Sequence, residues 1–401
     1  MKKNPILILA SGAFLMILAG NRAHAQKIET VNGVRIVHNV KGGTWGAKPQ
    51  VSLKLVRTYG DYDIEDEHLA FNLPSDALLD RAGNLYVLDS SNRRIQKFGP
   101  DGKYLATIGR KGQGPGEFNY PNSFDFGADG NLYVLETGRR IVHVFSPDGK
   151  ELKSVRWLNS PVNSIRYLGS NALAAVGVID TWPDQNEKKP KAPAKLVKVL
   201  DFEGKAKQEM GDPFDFGDPI STGGGNSVFL EADAQQHIYL TFRVQNRVEK
   251  YSPEGKLLWR ADRPLNFKTD MIKKGRFEQS KTSASVWGPQ FNDVSSGLAV
   301  DGKGRVWVIT FRRQLKDEER ISTSKFSDTN GNITTKVEGD QERPIKDLLA
   351  LDVFDPNGVL LGSLPLDFFV GHIRIFKDDL LLIDSERLSK VYHFKIVENK
   401  A

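Results

Sequence analysis

Apolar residues along this chain fall in short runs separated by Gly-, Asp- and Asn-containing turns, and the runs repeat. Residues 76–105 read DALLDRAGNLYVLDSSNRRIQKFGPDGKYL, and residues 123–152 read SFDFGADGNLYVLETGRRIVHVFSPDGKEL. The two align without a gap, so that Gly83-Asn84-Leu85-Tyr86-Val87-Leu88 recurs as Gly130-Asn131-Leu132-Tyr133-Val134-Leu135. A third copy over 228–258 carries Ile238-Tyr239-Leu240 and Tyr251-Ser-Pro-Glu-Gly-Lys256. Tyr, Val, Ile and Phe dominate the runs, as strands prefer. Asp101-Gly102 is a hairpin signal, and no helical period of comparable length interrupts the pattern. Each repeat therefore predicts a four-stranded antiparallel meander, the blade of a β-propeller.

The turn between the third and fourth strands counts the blades. It occurs at 98–103, 145–150, 200–205, 251–256 and 354–359. A sixth blade begins at His372-Ile-Arg-Ile, continues through 380–384 and ends at 391–394, one strand short. The missing strand is predicted at 51–58, whose residues alternate apolar and polar. Its exit, Thr58-Tyr59-Gly60, matches Thr107-Ile108-Gly109, and each is followed by a loop ending Phe71-Asn-Leu-Pro74 or Phe118-Asn-Tyr-Pro121. The expected fold is thus all-β: a six-bladed propeller over 51–397, closed by its N-terminal strand so that both sheet edges are covered. Residues 26–50, with Val31-Asn-Gly-Val34 as a turn, are expected to form a hairpin appendage.

The stretches GNLYVLDSSNRRIQKFGPDGKYLATIGRKGQGPGEF at 83–118 and GNLYVLETGRRIVHVFSPDGK at 130–150 resemble the NHL-repeat six-bladed propellers of secreted bacterial proteins. The likeness is strong over 51–157, fair over 226–260, and weak but in register over 161–210 and 296–396. The Gly-His and Trp-Asp marks of tryptophan–aspartate repeats are absent, as is a Tyr-Trp-Thr-Asp motif. Such a resemblance implies a fold more directly than a function.

Residues 1–25 read as a secretory signal: Lys2 and Lys3, an apolar stretch from Ile6 to Ala19, and the small-x-small site Ala23-His24-Ala25. Cleavage before Gln26 removes Lys2, Lys3 and Arg22 and no acid, which halves the formal net charge of +6. So small a balance argues against nucleic acid as a partner. The absence of cysteine removes a disulfide framework, a thiolate metal site, a cysteine nucleophile and a lipid-anchoring cysteine. A monomeric protein of the periplasm or exterior, without a stable membrane anchor after cleavage, is expected.

Propeller geometry sorts the loops by face. Turns joining strands one to two and three to four lie on one face and are all tight here. Loops joining strands two to three, and the crossings between blades, lie on the other. Every long insertion falls on this second face: 180–194, 311–346 and the crossings 109–121, 211–226 and 261–295. Long loops on a rigid scaffold are where recognition concentrates.

On that face Trp182, Trp287, Phe291 and Arg312 are candidate contacts, because aromatic residues and arginine carry binding energy at surfaces. Arg166, Arg374 and His372, on first strands, are candidates inside the channel, where the arginines could reach an anionic group. Acid–base pairs recur per blade: Asp89 with Arg93 or Arg94, Glu136 with Arg139 or Arg140, Asp384 with Arg387 or Lys390. That recurrence suits a loop brace better than a site. A zinc lyase needs several converging histidines, yet His372 alone occupies a first-strand entry. A calcium-dependent lactonase would draw on Asp76, Asn122, Asp125, Asn163, Asn226 and Glu231. The Gly-Gln-Gly-Pro-Gly stretch at 112–116 lacks the strand–GKS/T–helix context of a phosphate loop and reads as a compact crossing. The preferred reading is a non-enzymatic propeller that recognises a protein, peptide or glycan, with no cofactor, metal ligand or catalytic residue assigned. The alternative is a calcium- or zinc-dependent hydrolase or lyase.

Overall fold

The structure is a computed structural model that describes residues 26–61, 64–156, 162–169, 172–177, 194–279, 284–327 and 333–399. Six four-stranded antiparallel sheets form a six-bladed β-propeller. Blades one to five have innermost strands Pro74–Leu79, Pro121–Phe126, Val162–Tyr167, Val228–Ala232 and Ser295–Val300. In blade six, His372–Phe376, Asp379–Asp384 and Lys390–Glu398 are completed by the outer strand Val51–Tyr59. The N-terminal strand thus closes the ring, in register from Val51 opposite Glu398 to Tyr59 opposite Val391.

Second strands such as Leu85–Asp89 and Leu132–Glu136 are buried at every position. Alternate residues face opposite neighbouring blades, which is why these strands read as unbroken apolar runs. Leu85 and Val87 pack with Ile383 and Val391 of blade six, whereas Tyr86 and Leu88 pack with Phe124 and Val134 of blade two. The core is therefore a set of clusters, one between each pair of adjacent blades.

The exit motif seen in the sequence has a packing reason. Gly60 and Gly109 sit at φ +79° and +78°, and a Cβ on either would lie 2.4 Å from Phe71 Cδ2 or 2.1 Å from Phe118 Cε2. Glycine lets the crossing phenylalanine fold back over the strand end.

The N-terminal segment is tied to the ring more closely than an appendage. Lys27–Val31 and Val34–His38 form a hairpin whose second strand pairs in parallel with Leu257–Asp262, the outer strand of blade four. Asn39 then bridges blades, its amide donating to Asp262 O and Gly358 O at 2.8 and 3.0 Å. Trp45 N donates to Leu361 O of blade five before the chain enters blade six.

The insertions carry structure of their own. The crossing 211–226 holds a short helix, Pro219–Gly225, capped by Asp218, whose carboxylate accepts from Ser221 N. Arg276–Gln279 pairs with Ala284–Trp287, and Ser322–Ser327 with Ile333–Glu338, each as a two-stranded ribbon. Sequence patterning showed only loops here because neither a seven-residue helix nor an isolated ribbon has enough length for its period to register.

Candidate functional site

A cavity of about 720 Å³ opens at the channel mouth on the insertion face. Its wall is built by residues at the entries of the innermost strands. Ser75, Asn122, Asn163, Ser227, Ser296 and His372 line it, one from each blade. Four arrive by the same local device: pairing with the second strand skips a residue between Pro74 and Asp76, Pro121 and Ser123, Val162 and Ser164, and Ser295 and Gly297. The skipped residues are Ser75, Asn122, Asn163 and Ser296. A bulge frees one residue from the ladder and re-aims its side chain. Ser123 and Ser164 add hydroxyls below, and Phe229, Phe311 and Phe369 supply apolar wall.

Ion pairs close the floor. Arg374 is 4% exposed and lies 2.9 Å from Glu231, 3.2 Å from Asp125 and 3.5 Å from Asp76. Arg166 lies 3.2 Å from Glu231 and donates to Ile165 O and Ser164 Oγ. His372 Nε2 is 3.3 Å from Asp76 Oδ1. Burial alone would raise the Asp76 carboxyl, but Arg374, His372 and Arg166 reverse that and hold it far below the usual carboxylate range. At Asp125 burial wins, assisted by Glu231, and the carboxyl is raised despite both arginines. The surrounding carboxylates likewise overcome burial at Arg374 and raise its pKa, so it stays charged. Arg166, Arg374 and His372 are thus brought together, but both guanidiniums are already matched by carboxylates of the same channel. The carboxylates that a calcium site would draw on hold arginine in its place. Among the described residues, no group of three or more His, Asp or Glu side chains is arranged to hold a metal ion.

The remaining candidates stand apart from the cavity lining. Trp287 is exposed on the ribbon of the 261–295 crossing, with the Arg276 guanidinium 4.3 Å from its ring centroid. Phe291 packs edge-on against Phe216, centroids 5.1 Å apart. Arg312 turns toward Asp352 of its own blade, at 3.7 Å. Trp182 lies outside the described residues, with most of the 180–194 insertion.

Two of the recurring acid–base pairs form, Asp89 with Arg94 and Glu136 with Arg139, whereas, among the described residues, Asp384 meets only backbone N–H groups and Lys390 pairs with Asp61. Asp89 accepts from Asn72 N, Asn92 Nδ2 and Arg94 Nε, and Asp384 accepts from the backbone of Arg387 and Leu388. Glu136 pairs with Arg139 and with His143, which also meets Glu151 at 2.7 Å. The glycine-rich crossing is filled by its own glutamate, since Gln113 N and Gly114 N both donate to Glu117 Oε2. Those amides are not available to a phosphate.

One insertion is fastened over the mouth. Glu319, Arg320, Ile321 and Ser322 of the 311–346 insertion line the cavity. Arg313 grips Glu319 with two hydrogen bonds of 2.6 and 2.8 Å. From blade six the buried Arg387 donates to Glu319 O and Asp340 O at 2.8 and 2.7 Å. Sequence reasoning missed this fastening and the bulged ring. A weak signal for the ring existed in the small polar residues that follow Pro74 and Pro121 at strand entries.

A model of the DUF5128 family, described as a 6-bladed beta-propeller, matches residues 75–173. No curated protein matches the sequence significantly. Among solved structures, a DUF4221-family member from Bacteroides vulgatus aligns with TM-score 0.57 and 10% identity, over 87% of this chain and 99% of its own. A Bacteroides fragilis protein whose name calls it exported aligns with TM-score 0.51 and 12% identity, over 91% of this chain and all of its own. These likenesses show the fold alone. No helix among the described residues is long and apolar enough to cross a membrane.

Proposed function

We propose that this chain is an exported binding propeller that holds a small, neutral, polyhydroxylated ligand, a free sugar or the end of a glycan, in the channel mouth. The observation that carries the reading is the ring of Ser75, Asn122, Asn163, Ser227, Ser296 and His372, one side chain per blade. Hydroxyls and amides both donate and accept, which suits a ligand bearing many hydroxyls. The guanidiniums of the floor are matched by carboxylates, so an anionic ligand would find no free counter-charge there. Phe229, partly exposed at the wall, offers apolar surface to the C–H side of a sugar ring. The volume lies within the few hundred to about 1,000 Å³ usual for small-molecule sites. Export rests on the basic, apolar and small-x-small segments of residues 1–25.

The test is calorimetric titration of the protein lacking residues 1–25 with glucose, galactose, mannose, N-acetylglucosamine, maltose and cellobiose, in parallel with Asn163→Trp. Asn163 is an exposed wall residue, so an indole there fills the mouth without entering the core. Binding by the parent and its loss in a variant of unchanged melting temperature is the expected result. No binding by the parent, or equal binding by Asn163→Trp, refutes the reading.

A further inference from the structure

Glu386 stands out among the acids of the cavity. Asp76 is held by Arg374, Asp293 is 2.8 Å from Arg243, and Glu319 is clasped by Arg313. Glu386 also lines the cavity and is exposed to it, yet among the described residues no hydrogen bond or ion pair reaches its carboxylate. Its backbone is firmly placed. Asp384 accepts hydrogen bonds from Arg387 N and Leu388 N, and the next side chain, Arg387, is anchored to the carbonyls of the 311–346 insertion. An acid on a rigid loop, facing a polar cavity and lacking a partner, is preorganised for a ligand.

The charges that face it come from three elements. Arg243, on the loop between the second and third strands of blade four, and the neighbouring Arg387 favour the carboxylate. Asp293, on the crossing into blade five, opposes it. Burial outweighs the arginines and raises the carboxyl above its ordinary value. A carboxylate is an acceptor only, with two oxygens side by side, and hydroxyl donors to it make short, charge-assisted bonds.

We infer that Glu386 is the specificity-determining residue of the cavity, its carboxylate accepting hydrogen bonds from two adjacent hydroxyls of the ligand. This rests on the sugar-site reading above. It adds a selection rule: sugars with a free vicinal diol bind, and analogues lacking either hydroxyl of the pair are rejected.

The experiment uses the tightest binder of the sugar panel, its monodeoxy analogues, and the variants Glu386→Gln and Asn163→Trp. Glu386→Gln keeps shape and one acceptor but offers an amide where the second hydroxyl would donate. At pH 7.5 it should bind the parent sugar at least tenfold more weakly, with melting unchanged. It should also no longer distinguish the deoxy analogue that the parent protein rejects. The parent's affinity should fall as pH drops through the raised Glu386 pKa, while that of Glu386→Gln stays flat. If Glu386→Gln binds within twofold of the parent while Asn163→Trp binds nothing, the role of Glu386 is overturned and the site stands. If the parent binds no sugar, both readings fall.

Discussion

Replacing Arg374 with methionine should destabilise the propeller far more than an ordinary surface change. The side chain is 4% exposed and its guanidinium faces three carboxylates within 3.5 Å. Methionine fills comparable length but strips the shared guanidinium from the buried Asp76 and the partly buried Asp125 and Glu231, leaving Arg166 beside Glu231 and His372 beside Asp76. Breaking a buried ion pair from one side costs about 3–5 kcal/mol, because a charge remains without compensation. That is a large share of the ~5–15 kcal/mol that holds a typical domain together. Urea unfolding of parent and variant at pH 7.5 and pH 5 measures it. The loss should be at least about 3 kcal/mol at pH 7.5. Without the guanidinium, the carboxyls of Asp76 and Asp125, which burial pushes up and Arg374 pulls down, rise in the folded state, so the folded variant binds more protons than its unfolded chain. Its stability relative to the parent should therefore fall as pH rises and recover toward pH 5. Adding Asp76→Asn to Arg374→Met should restore part of the loss. A single variant within 1 kcal/mol of the parent at both pH values would refute the view that this ion cluster holds the channel floor.

Arg387→Ala should release the insertion over the mouth: amide exchange and protease cutting across 316–322 and 338–343 should quicken. Each lost charged hydrogen bond, to Glu319 O and to Asp340 O, is worth about 1.5–3 kcal/mol locally. Gly109→Ala should lower stability by at least ~2 kcal/mol in thermal unfolding, through a positive φ and a clash with Phe118. Gly33→Ala, also at positive φ but with open space around it, should cost less. At His143, burial lowers the pKa, but Glu136 and Glu151 overcome it and raise the imidazole above its ordinary value. Its contribution is whole below pH ~6.5 and is lost as pH rises through the folded-state pKa. Between pH 6 and 9 the parent should therefore lose more stability than His143→Gln, as read from urea midpoints.

Blade number and ring closure were legible because they rest on long-range repetition. Turn motifs such as Phe98-Gly-Pro-Asp-Gly-Lys103, in five blades, and exits such as Thr107-Ile108-Gly109, matched by Thr58-Tyr59-Gly60, are set by local backbone needs that recur from blade to blade. The channel mouth was legible only in part. His372, Arg374 and Arg166 were visible as unusual residues on first strands, but their partners come from other blades: Asp125 lies 249 positions from Arg374 in the chain. Such pairing has no local signature. The bulges were hidden because an extra residue in a strand shifts the period by one, which in a short strand looks like an ordinary boundary error. Trp287 and Arg312 were conspicuous by type, yet type does not tell which way a ribbon or a strand end turns. One stacks with Arg276 at the surface and the other turns to Asp352.

The most direct test of the channel-mouth account is a crystal structure of the protein without residues 1–25, grown with the tightest-binding sugar of the panel. Ligand density should lie within the ring of Ser75, Asn122, Asn163, Ser227, Ser296 and His372, with two adjacent hydroxyls on Glu386. Density seated instead on the Arg276–Trp287 ribbon or on the tight-turn face, with the channel mouth empty, would contradict it.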